Sequence, residues 1–142
     1  MVRTHNNPTN DDGRQSNAML FSPFYMLALK EGNRTVNQYL YTIQPTRLEM
    51  ITHGPTDEEA SILTDHFNYL KSLTEQGVVL VFGRTQNNDA STFGIAIFRA
   101  ESADAAQSIM NRDPAVSKGI MRAKLFPYKI AGLNARNWIS DI

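Results

Sequence analysis

The residues able to shuttle a proton near neutral pH come first. The chain has three histidines, His5, His53 and His66, and no cysteine. His5 belongs to a polar N-terminal tail and is set aside. His53 lies in a loop, and His66 lies in the apolar-periodic segment that follows it. An imidazole can serve as a general base if an acidic partner fixes its tautomer and supports the imidazolium that forms. Asp113, followed by Pro114, is the acidic candidate. Arg47 and Arg84 follow two expected strands, where a guanidinium could clamp a carboxylate or phenolate. Gly83 interrupts an apolar strand, where glycine marks a bulge or a close approach to a ligand. Each residue also has a plainer reading. His66 could be a core histidine bonded to backbone, Asp113 a helix N-cap, and the arginines solvated ends of strands.

Other chemistries lack their residues. There is no H-x-x-H or H-E-x-x-H spacing and no thiolate, so no metal site is expected. A nucleophilic triad, a phosphate-cradling glycine loop and a dinucleotide fingerprint are also missing, and no cofactor is expected. Lys and Arg number 14, as do Asp and Glu, and the zero net charge gives no field for nucleic acid or an anionic membrane. No apolar run reaches the length of a membrane span. With no cysteine and no secretory pattern at the N-terminus, a cytoplasmic location is expected.

One stretch must position the histidine. In Thr56–Arg84, Thr56 and Glu59 have capping-box spacing behind Pro55, and Gly77 stands where a helix would stop. At about 100° per residue, Ile62, Leu63, Phe67, Tyr69, Leu70 and Leu73 share one arc roughly 120–160° wide. His66 falls at about 40° within that arc, on the side that packs rather than the side that is solvated. The apolar run after Gly77 predicts a strand over 78–83, buried on both faces.

The rest of the chain arranges itself around this unit. Residues 1–18 are polar and predict a disordered tail. Ser22-Pro23 and Gly32 bracket a short amphipathic helix. Strands are predicted over 38–44, ended by Pro45, over 92–100, and over 120–126 with Tyr128. Ser102 caps a second helix over 103–112, ended by Asp113-Pro114. Trp138 lies in a C-terminal tail. The units are thus an extension over 1–36, one domain over 37–132 and a tail over 133–142. The order β-α-β-β-α-β predicts an α+β, ferredoxin-like sandwich with both helices on one sheet face. The other face keeps apolar residues, so a homodimer pairing those faces is expected.

Four stretches in this order carry a family resemblance: YLYTIQP, HFNYLKSL, GVVLVFGR and RDPAVSKG. The last matches an Asp-Pro-x-V-x-x-Gly signature and is the most specific. Over about residues 38–130 the chain resembles the YCII (YciI-like) family of small dimeric α+β-barrel proteins. The resemblance implies a His66–Asp113 dyad for acid–base work in a cleft. Relatives of similar fold include a dehydrochlorinase of chlorinated hydroxyquinols and muconolactone isomerase. The chain departs from the pattern at Gly83-Arg84, where many members have Gly-Pro, and at Ala115, where many have an aromatic. The expectation is a cofactor-free lyase or isomerase acting on a small cyclic or enolisable organic acid. In it His66 is the base, Asp113 its partner, and Arg47, Gly83 and Arg84 line the substrate site. Two alternatives stand beside it: a non-catalytic dimeric ligand-binding module, and a cofactor-free monooxygenase of the same barrel class.

Overall fold

A computed structural model of the chain describes residues 37–134. Strand β1 (Asn37–Pro45) leads through a short helix α1 (Glu49–Thr52) to the long helix α2 (Asp57–Glu75). Strands β2 (Val79–Arg84) and β3 (Gly94–Ala100) follow. Helices α3 (Ala103–Asn111) and α4 (Pro114–Ser117) then lead to strand β4 (Met121–Tyr128). The four strands form one antiparallel sheet in the order β2-β3-β1-β4. This is the predicted α+β, ferredoxin-like arrangement.

Alternation along β1 builds the core. Tyr39, Tyr41 and Ile43 are buried, and each lies opposite a buried residue of β3: Phe98, Ala96 and Gly94. Tyr41 and Phe98 meet edge to face, with ring centroids 5.7 Å apart. Leu70 of α2 and Ala106 and Met110 of α3 close this layer from the helix side. On β4 the same side carries Ala123 and Leu125, paired with Ile43 and Tyr41.

Helix α2 begins and ends where its sequence signals stand. Thr56 Oγ1 accepts the Glu59 amide at 3.2 Å, and Gly77 adopts φ 75°, the left-handed stop. The second half of the capping box does not form. The Glu59 carboxylate instead accepts two hydrogen bonds from Arg47, from Nε at 2.8 Å and from a terminal nitrogen at 3.0 Å. A bidentate, charge-assisted pair outcompetes one neutral backbone amide for the same carboxylate.

Three expectations are corrected. Strand β2 is an edge strand, so it is not buried on both faces: Val79 is buried, but Gly83 and Arg84 are exposed. The loop after Pro45 contains α1, which buries Met50. Phe67 lies on the apolar arc of α2 yet is 53% exposed, because its ring rests on Phe82 at the sheet edge rather than over the sheet centre. The expected tail over 1–18, the helix between Ser22 and Gly32, and Trp138 lie outside the described residues. Among the described residues no helix is long and apolar enough to cross a membrane.

Candidate functional site

Three elements converge on one carboxylate. Asp113 follows α3 and caps α4: its Oδ1 accepts the Ala115 amide at 3.0 Å, as an Asp-Pro N-cap should. The residue is fully buried. Tyr41, from the central strand β1, donates its hydroxyl to Oδ2 at 2.8 Å. His66, from the middle of α2, brings Nδ1 to 2.7 Å from Oδ1 and 2.9 Å from Oδ2. An ionised carboxylate only accepts; facing one, all three groups act as donors, and a neutral imidazole would carry its proton on Nδ1. In that form Nε2 would be the ring nitrogen available to a reactant. The cap and the histidine contact coexist on one side chain because Oδ1 serves both.

The phenol is held in its donor form. Burial first, and then the Asp113 charge beside it, push the Tyr41 hydroxyl far above its ordinary value of 10.0. Tyr69, which donates to the Ile109 carbonyl at 2.7 Å, is raised by burial and by Asp113, with Arg112 acting in the opposite direction. For Tyr41 the sign of the linkage is definite. An acid whose folded value is raised keeps its proton in the folded state after the unfolded state has lost it. Its contribution is therefore intact below about pH 10 and is lost as pH rises further. Tyr41→Phe should lower stability at neutral pH by about 1–2 kcal/mol through the lost bond to a buried charge. It should also lose less stability than the wild type between about pH 8 and about pH 11. Urea denaturation at both pH values checks this, and equal alkaline losses in the two proteins would remove Tyr41 as their source.

Beside the pair lies a cavity of about 840 Å³, bounded by α2 on one side and by residues of β1, β2 and β3 on the other. His66, Tyr41, Gly83 and Arg84 line it, with Ile43, Leu63, Leu70, Phe82 and Ala96 among its apolar walls. Arg84 donates to two neutral acceptors, the Thr85 carbonyl at 2.9 Å and Asn88 Oδ1 at 3.3 Å. Its charge therefore meets no carboxylate in these bonds. Gly83 is not at the bulge of β2, which falls between Val79 and Val81. A Cβ added at Gly83 would meet nothing within 4 Å, and Gly83 pairs with Ile95, on the sheet face away from the helices. Arg47 is not brought to the cavity: its guanidinium is spent on Glu59, and it does not line the walls. His53 is exposed beside Thr52 Oγ1, 2.9 Å away. No group of three or more His, Asp or Glu side chains able to hold a metal ion occurs among the described residues.

Sequence reasoning missed Tyr41. The available signal was its phase: it alternates with Tyr39 and Ile43 on the inward side of β1, and a buried phenol needs an acceptor. Buried Thr92 was missed as well. Its hydroxyl lies 3.2 Å from that of Thr85, its carbonyl accepts from Gln44, and it lines the cavity.

No protein of curated function matches the chain. Among solved structures, it is similar to the 5-chloro-2-hydroxyhydroquinone dehydrochlorinase of Burkholderia phenoliruptrix in complex with 2,5-dihydroxybenzoquinone. The identity is 19% and the TM-score 0.48, over 64% of this chain and 93% of that one. The family model described as the YCII-related domain matches residues 38–128, a span that holds all the residues just placed around Asp113 and the cavity. By that match the chain belongs to the YCII-related family.

Proposed function

We propose that this protein is a cofactor-free acid–base enzyme of the lyase or isomerase type, acting on an enolisable or cyclic organic acid. The observation that carries this reading is the clamped imidazole. Nδ1 of His66 is held by a buried carboxylate, while the ring borders a large apolar cavity. In this reading Nε2 removes a proton from a carbon next to a carbonyl, giving an enolate and an imidazolium. The Asp113 carboxylate stabilises the imidazolium across a short, water-poor contact. Tyr41 and the Ala115 amide hold the carboxylate in place and are positioning groups. Arg84 takes the anionic group of the substrate. The enolate then regains the proton at another carbon, which is isomerisation, or expels an anionic leaving group from the adjacent carbon, which is elimination, and the imidazolium then gives its proton to the departed group or to water.

The test is a panel of cyclic keto acids and unsaturated lactone acids incubated with the protein in D₂O. The expected result is deuterium at the acidic carbon of at least one, seen by proton NMR, with no oxygen consumed. Oxygen uptake with turnover would instead make the protein a cofactor-free monooxygenase. Ligand-induced stabilisation with neither exchange nor uptake would make it a binding module.

The same proposal includes a homodimer. The sheet face away from the helices carries Leu40, Ile95 and Phe126, the last 37% exposed with Lys124 over its ring at 5.2 Å. A two-fold pairing of such faces buries one patch on both copies. Light scattering at micromolar concentration should give twice the mass of the 16.0 kDa chain. A monomer at that concentration would contradict the pairing.

A further inference from the structure

The cavity offers more room than a one-ring substrate needs. A space of about 150 Å³ suffices for benzene, and cavities of about 300–1,000 Å³ house ligands of drug size. At about 840 Å³ this one lies near the top of that range. Its walls are chiefly apolar, through Ile43, Leu63, Leu70, Phe82 and Ala96. Two large aromatic residues that line it, Phe67 and Phe93, are 53% and 41% exposed. Apolar surface of this extent is stabilised when a ligand body displaces the water on it. Polar recognition is sparse by comparison: a cation at Arg84, the imidazole of His66 and the buried Thr92, since the Tyr41 and Thr74 hydroxyls are given to Asp113 and the Leu70 carbonyl.

From this we infer the substrate class: an amphipathic acid with a single anionic head and an apolar body of two or more rings or the equivalent chain. The inference rests on reading the cavity as the substrate site, but not on the proton transfer assigned to His66. The body fills the space between α2 and the sheet and covers Phe67. The anionic head is recognised by Arg84, whose hydrogen bonds to neutral acceptors leave its charge uncompensated.

Two fluorescent probes with one skeleton separate head from body. These are 8-anilinonaphthalene-1-sulfonate, which is anionic, and N-phenyl-1-naphthylamine, which lacks the sulfonate. Each should bind the full chain at one site per chain, and each should displace the other. Benzoate has the acid without the body and should bind at least about 100-fold more weakly than the sulfonate probe, from the apolar area it cannot bury. Arg84→Gln should weaken the sulfonate probe by about threefold to tenfold and leave the neutral probe unchanged, since only the former meets the charge. Phe67→Asp, at a position exposed enough to leave folding intact, should weaken both. Benzoate binding as tightly as the probes would overturn the large-body class. Probe affinities unmoved by Phe67→Asp would place the probes outside the cavity and overturn it too. An Arg84→Gln effect that is absent, or equal for both probes, would overturn the anionic head. Neither probe carries an acidic carbon, so a failure of the proton-abstraction reading would leave these titrations as they are.

Discussion

Replacing Asp113 by Ala should lower folding stability by roughly 2–4 kcal/mol, the largest loss expected from any single truncation at the site. The sum has identifiable parts. The lost N-cap of α4 accounts for about 1 kcal/mol. The Tyr41 hydroxyl, fully buried and hydrogen-bonded to Asp113, would be left without its acceptor, at about 1–3 kcal/mol. Removing the buried charge itself offsets part of this. Asp113→Asn should lose less than about 2 kcal/mol, because an amide oxygen still caps Ala115 and a phenol can reverse its role and accept from the new amide. Chemical denaturation of the two variants checks the order. An Ala variant as stable as the wild type would mean that the three donors around Asp113 find other partners.

His66→Ala should reduce deuterium exchange into substrate by about 10²–10⁴-fold, the usual contribution of a positioned general base. The fold should survive, since Asp113 keeps its bonds from Tyr41 and Ala115 when the ring is removed. Asp113→Asn should reduce the same rate by a comparable factor for a different reason. The amide oxygen that caps Ala115 still faces Nδ1, but the charge that steadies the imidazolium would be gone. Single-turnover exchange with one responsive substrate measures both. A His66→Ala protein that exchanges at the wild-type rate would remove His66 from the chemistry.

Much of the fold was legible because its punctuation is local. Pro45, Gly77, the Ser102 cap and Asp113-Pro114 mark element ends that need only neighbouring residues to act. The phase of α2 was legible from its apolar arc. That arc made His66 worth weighing, because a histidine on a packing face needs a partner. The partner is 47 positions away, and periodicity does not give such distances. Here it was the matched Asp-Pro stretch that joined Asp113 to His66. Tyr41 escaped notice because tyrosine suits a strand by shape alone, so its polar end carried no separate signal. Arg47 was misplaced because two local rules competed for Glu59: a capping box and an ion pair. The stronger bond took the carboxylate and removed Arg47 from the cavity. Phe67 shows a further limit. Periodicity assigns a residue to a face of α2, but not whether the sheet continues beneath it. At Phe67 the edge strand β2 is below, and the ring stays half in solvent.

The central claim is that Asp113 fixes His66 with its proton on Nδ1 and leaves Nε2 as the base. It can be read without any substrate, from the ¹⁵N chemical shifts and proton couplings of the neutral His66 ring in uniformly labelled protein. A protonated Nδ1 and a bare Nε2 are expected in the wild type. A wild-type ring with its proton on Nε2 would contradict it, because Asp113 would then be donating to the histidine and no base would border the cavity.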